Sequence, residues 1–196
     1  MTTANKITIL RILLIPFFVI EVLYYVQTGN EVHRLLAILT FAVAAVLDGV
    51  DGYVARHYNQ WSELGTVLDP IADKLLLVSG IVVLSFDHGT RLATIPLWLT
   101  GTIIGRDLLL CIGVVVVRFT VGKVVVRPRI TGKIATVFQM ALVLWILLKW
   151  SEHHPFRLHL ISLAAGLFTG ASGLLYVWDF MKQIGAHPAS SPTKNK

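Results

Sequence analysis

Several stretches of this chain hold close to 20 largely apolar residues in succession, about the length a helix needs to cross a bilayer. Hydrocarbon offers no hydrogen-bonding partner to a backbone, so such a chain must form helices or a closed barrel. The runs are continuous rather than alternating, which selects helices. Six transmembrane helices are placed at approximately 7–27, 35–57, 63–86, 94–118, 133–150 and 158–181. Composition agrees. Of 196 residues, 55% are hydrophobic and 14% charged, with a mean hydropathy of +0.72, far from the balance of a soluble domain. The expected fold class is an all-α integral membrane protein with one membrane domain over 1–186. The tail 187–196, rich in Pro, Ser and Lys, is expected to be disordered. The first run follows Lys6 and Arg11, contains Glu21 and lacks a small-residue cleavage site, so it reads as a retained helix, not a signal peptide. Pro16 within it marks a kink or a change from interfacial to spanning helix. The single cysteine, Cys111, excludes an internal disulfide and is read as packing.

Against this apolar background stand four carboxylates, Asp48, Asp51, Asp69 and Asp73, at the ends of the second and third runs. On helices, spacings of three and four put each pair on one face. Acids gathered without partners repel one another and raise their own pKa values. Ionised carboxylates in so apolar a setting need compensating charge, and hard cations with oxygen ligands supply it. Two divalent cations on four Asp is the simplest neutral arrangement. Neither acid pair contains Cys or His, so Mg²⁺ or Mn²⁺ is expected in preference to Zn²⁺. Gly52 lets a ligand approach the backbone, Arg56 can pair with phosphate oxygens, and Gly65 leaves space at the start of the next helix.

The pattern D-x-x-D-G-x-x-A-R, eight residues, then G-x-x-x-D-x-x-x-D resembles the motif of the CDP-alcohol phosphotransferases, with Asp48, Asp51, Gly52, Ala55, Arg56, Gly65, Asp69 and Asp73 at its fixed positions. The bland alternative is two kinked helices with acids placed by chance. The resemblance extends over nearly the whole chain and implies transfer of a phosphatidyl group from CDP-diacylglycerol to an alcohol, with release of CMP. It also implies metal ligation by Asp48, Asp51, Asp69 and Asp73, with Asp73 the base for the acceptor hydroxyl. Gly52, Ala55, Arg56 and Gly65 would hold the CDP portion. The segment Asn5–Arg11 resembles the start of family members that use glycerol 3-phosphate, where Asn5, Thr8 and Arg11 would lie near the nucleotide; Asn5 and Thr8 as helix caps is the plainer reading. Leu68–Lys74 and Gly132–Met140 point to the same acceptor. Gly105-Arg106-Asp107 departs from that group and resembles members that transfer to phosphatidylglycerol. A homodimer is likewise an implication of the family.

Basic residues set the orientation. Six spans put both termini on one side, with Lys6, Arg11, Arg56, Arg118, Lys123, Arg127, Arg129, Lys133, Lys182, Lys194 and Lys196; the other side has Arg34, Arg91, Lys149 and Arg157. The positive-inside rule then turns the termini and the Asp motif to the cytoplasm, across a bacterial-type inner membrane. The net charge of +6 thus reports topology and contact with anionic lipid, and no nucleic-acid partner is expected.

Arg106 and Asp107 lie within the fourth run, where charge is costly, so they should face the protein interior as an ion pair or in a polar cavity. Arg118, Lys123, Arg127, Arg129 and Lys133 crowd the following link. They anchor the cytoplasmic side, and with Arg106 they are candidates for an acceptor phosphate. Thr136 and Gln139 form a polar stripe suited to lining that cavity. Gly166, Gly170 and Gly173 suit close helix packing, or a dimer contact. His153, His154 and His159 read as a polar loop. A function of another class, a non-catalytic cation-binding or transport protein, predicts polar residues continuing through the bundle; the acids gather instead at one end.

Overall fold

The computed structural model describes residues 3–57, 63–89, 91–121 and 130–185; for 3–6, 48–57, 63–71, 73, 121, 152, 153 and 155 it describes the backbone alone. Among these residues every regular element is a helix. The helices are α1 (Thr3–Thr28), α2 (Glu31–His57), α3 (Glu63–Ser85), α4 (Leu97–Val121), α5 (Ile130–Leu147), the single turn α6 (Trp150–His153) and α7 (Pro155–Gly185). Four of them, α1, α4, α5 and α7, contain stretches long and apolar enough to cross a membrane. The described apolar part of α3 is the shorter stretch Lys74–Ser85, and α2 ends in the acidic motif. The composition is that of an integral membrane protein. The tail from 187 lies outside the described residues.

Local chemistry sets the helix ends. Helix α1 runs unbroken through Pro16. It stops where Gly29 takes φ +73° and its N–H meets the Tyr25 carbonyl at 2.8 Å, the left-handed termination that glycine favours. Asn30 then caps α2, its Oδ1 accepting the Val32 N–H at 3.1 Å. This places the start of α2 at Glu31, earlier than the apolar run alone suggests. Helix α5 closes at Leu147, before the expected 150, because Lys149 adopts φ 58°. Pro155 opens α7, a position where a missing N–H costs nothing.

By compactness the chain forms two units, Met1–Ile95 with Met140–Leu158, and Pro96–Gln139 with His159–Lys196. In the first, α1 packs along α2 and α3 through a continuous buried stripe: Thr8, Arg11, Ile15, Phe18, Val22 and Tyr25. The spacing of three and four is that of one helix face. Ala37, Phe41 and Ala44 on α2 and Ala72, Leu76, Ile81 and Leu84 on α3 are buried as well. Phe18 and Phe41 meet with ring centroids 5.4 Å apart, and a methyl added at Gly80 would touch Val143 at 3.4 Å and Phe18 at 3.6 Å. Arginines close the ends of this unit. Arg91 donates to the Tyr25 and Val26 carbonyls at 3.2 and 2.6 Å, and Arg34 to the Leu147 carbonyl at 2.9 Å; cations suit a helix C-terminus.

The second unit joins α4, the first part of α5 and most of α7. Phe138 stacks on Phe168 at 5.6 Å, and Val117, Tyr176 and Phe180 form a buried cluster. Gly166 fulfils the expected packing role, since a methyl there would fall 2.5 Å from Trp98. Gly170 does not: a methyl added there meets nothing within 4 Å. Cys111 is exposed, not packed, because α4 turns most of its apolar surface outward.

Candidate functional site

The Asp motif belongs to the first unit, and helix register fixes its levels. Two residues join α1 to α2, so these helices run antiparallel. Arg91, just beyond α3, bonds the last carbonyls of α1, so α1 and α3 run the same way. Phe18, Phe41 and Gly80 meet in one layer. One heptad from that layer stand Arg11 on α1, Asp48 on α2 and Asp73 on α3, about 10 Å along the axes. One turn farther come Thr8, Asp51 and Asp69, and beyond them Asn5, Ala55 and Gly65. Acids of α2 and α3 thus share two successive levels. Their donor set is all oxygen, which suits hard divalent cations. The side chains of Asp48, Asp51, Gly52, Ala55, Arg56, Gly65, Asp69, Asp73 and Asn5 lie outside the described residues.

Thr8 and Arg11, by contrast, are described and fully buried. A buried guanidinium is costly where nothing balances it. By backbone register Arg11 stands at the level of Asp48 and Asp73. Periodicity alone could not show this burial: the sequence groups Arg11 with Asn5 and Thr8 as site candidates. At the opposite end of the unit the sequence missed a second buried charge. Glu21 is 7% exposed and its carboxylate contacts His33 Nδ1 at 2.7 Å. A lone acid in an apolar run was the available signal.

The second unit holds the basic candidates. Arg118, in the last turn of α4, and Lys133 are exposed; Lys123, Arg127 and Arg129 lie outside the described residues. Arg106 is turned inward. Its Nη1 donates to Asp107 Oδ1 at 2.8 Å, so the expected ion pair is formed. Two partners were not legible: Nη2 donates to Ser172 Oγ at 3.3 Å, and the guanidinium lies 5.6 Å from the centre of the Tyr176 ring. Beside it runs an apolar groove of about 330 Å³ lined by Gly101, Gly105, Leu109, Gly170 and Leu174. Thr136 and Gln139 do not line it. Thr136 bonds the Gly132 carbonyl, and buried Gln139 donates to Thr169 Oγ1 at 3.0 Å, so the polar stripe satisfies itself. Among the described residues, no three His, Cys, Asp or Glu side chains group as metal ligands.

Residues 1–176 match the sequence profile of the CDP-alcohol phosphatidyltransferases. The chain belongs to this family. Its place in the CDP-alcohol phosphatidyltransferases makes it an enzyme of phosphatidyl transfer in phospholipid biosynthesis. It is 33% identical over 183 residues to a "Probable phosphatidylglycerophosphate synthase" of Mycobacterium tuberculosis, covering 93% of this chain and 83% of that one. It is 31% identical over 187 residues to the "CDP-diacylglycerol--glycerol-3-phosphate 3-phosphatidyltransferase" of Escherichia coli K12, covering 92% and 91%.

Proposed function

We propose that this chain is a phosphatidylglycerophosphate synthase, moving the phosphatidyl group of CDP-diacylglycerol to a hydroxyl of glycerol 3-phosphate. The similarity along nearly the full length of the Escherichia coli enzyme carries the reading. The complete acidic motif supports the chemistry.

Asp48, Asp51, Asp69 and Asp73 are assigned to two divalent cations, Mg²⁺ or Mn²⁺. When bound, these ions neutralise charge on the diphosphate and on the departing CMP. Gly52, Ala55 and Gly65 leave room for the nucleotide, Asn5 and Thr8 hold its polar groups, and Arg56 donates to phosphate oxygens. Asp73 takes the proton of the acceptor hydroxyl. The acceptor oxygen bonds to the β-phosphorus as the bond to the bridging oxygen breaks in line, and CMP leaves with that oxygen. Arg106, Arg118, Lys123, Arg127, Arg129 and Lys133 are assigned to the acceptor's phosphate. In this reading α2 and α3 also span the membrane, the motif and both termini face the cytoplasm, and the enzyme is a homodimer. Acyl chains of the substrate remain in the surrounding lipid.

Gly105-Arg106-Asp107 favours a second acceptor, phosphatidylglycerol, which would make the chain a cardiolipin synthase. Purified protein with CDP-diacylglycerol and Mg²⁺ decides between them. CMP release with glycerol 3-phosphate but not phosphatidylglycerol is expected; the reverse outcome would establish the second reading, and silence with both would exclude both acceptors.

A further inference from the structure

Arg106 is held on several sides. Its side chain is 15% exposed, and Asp107, Ser172 and the Tyr176 ring each meet the guanidinium. The remaining side is defined by what is missing. A methyl on Gly132 would stand 2.8 Å from Arg106 Nη2, 3.3 Å from Ser172 Oγ and 3.5 Å from the Tyr176 hydroxyl, so Nη2 occupies space that only glycine leaves open. Asp107 balances the charge, yet the five N–H donors of a guanidinium are not all engaged: Nε is buried with no partner among the described residues.

These contacts constrain different motions. The Ser172 hydroxyl sets the direction of Nη2, the Tyr176 face sets the plane of the guanidinium, and Gly132 allows it to sit there. A free arginine side chain surrenders much rotational freedom on binding; one already ordered surrenders less, and binds more tightly. Bidentate recognition of a phosphate depends on the direction of the fork as well as on its charge.

We propose that Gly132, Ser172 and Tyr176 are positioning residues that orient Arg106 for the phosphate of the acceptor. The proposal rests on the reading that glycerol 3-phosphate is the acceptor and Arg106 meets it. Arg106 touches substrate; the other three act through it.

The test is steady-state kinetics in detergent with CDP-diacylglycerol, Mg²⁺ and glycerol 3-phosphate. Gly132→Ala presses on side-chain tips, Arg106 Nη2 first and the Ser172 hydroxyl next, and on no backbone atom among its three nearest neighbours, so the fold is retained. Gly132→Ala and Ser172→Ala are expected to raise the KM for glycerol 3-phosphate roughly tenfold, the scale of one charge-assisted hydrogen bond. Neither the KM for CDP-diacylglycerol nor kcat should follow. Tyr176→Leu should raise the same KM, and Tyr176→Phe, which keeps the ring face, should restore it. In an Arg106→Lys background, whose ammonium has no fork to orient, Gly132→Ala and Ser172→Ala should add nothing further.

Equal effects in the two backgrounds would overturn the proposal, as would a fall in kcat with KM unchanged, or no effect on KM. Wild-type protein inactive with glycerol 3-phosphate would overturn the acceptor reading, and this proposal with it. The wild-type control distinguishes that failure from the others.

Discussion

Asp73 carries two assignments, ligand and base, and its amide analogue separates charge from shape. Asp73→Asn keeps the volume and removes both the negative charge and the proton acceptor. Loss of a general base alone costs about 10²–10⁴-fold in rate, so CMP release should fall at least that far. Thermal stability without metal should hold or rise, because one acid is removed from a mutually repelling set. A variant retaining more than about a tenth of the wild-type rate would exclude Asp73 as the base. The motif was fully legible at this scale because its spacing is fixed in the chain. Arg11 was named as a candidate through the resemblance, but its burial was not legible, and Ser172 was not named at all. Their significance depends on which face of a helix is buried and on what another helix presents there, and neither is encoded in local spacing.

Helices show the same division between local and non-local information. Their existence followed from apolar runs, while their ends followed from side chains outside those runs. Asn30 drew α2 back to Glu31, and the left-handed Lys149 closed α5 early. Glycine packing was partly misread for the same reason. Gly166 and Gly170 look equivalent in sequence, yet Trp98 lies against the first and nothing against the second. Gly113 passed unnoticed although a methyl there would overlap the ring of buried Phe180. Gly113→Ala should therefore destabilise the protein by about 1–3 kcal/mol through overpacking, while Gly170→Ala should be close to neutral. Melting temperatures in one detergent test the pair; equal values would exclude Phe180 as a close neighbour of Gly113.

The ion pairs at the start of α2 add a pH dependence. Hydrogen bonds from Arg34 and then Lys149 hold the Glu31 carboxyl below its ordinary 4.5. Lys149, bonded to Tyr25 and Glu31, is raised above 10.5. A depressed acid stabilises above its unfolded value and loses that contribution as pH falls through its folded one. A raised lysine stabilises below 10.5 and loses the contribution as pH rises through its folded value. The group should contribute fully between about pH 4.5 and 10.5. Glu31→Gln should flatten the acid limb of a stability profile relative to wild type; parallel profiles would contradict the assignment.

Across the whole molecule, the distribution of basic residues sets the expected orientation in the membrane. The sequence count favours the side bearing the termini. Of the cations assigned to the opposite side, Arg91 is engaged with the end of α1, Arg34 with the end of α5 and with Glu31, and Lys149 with Glu31 at 3.0 Å. On the side bearing the termini, Arg118 and Lys133 are exposed. The count of basic residues is the ground for expecting the termini inside. Cysteine labelling can read it directly. With exposed Cys111 replaced by serine, a single cysteine at Ser191 should react with a membrane-impermeant maleimide only after the cells are opened. One at Asp87, between α3 and α4 and exposed, should react in intact spheroplasts. The reverse pattern would put the termini and the acidic motif outside, away from any cytoplasmic nucleotide-activated substrate, and the catalytic reading would have to be abandoned along with the topology.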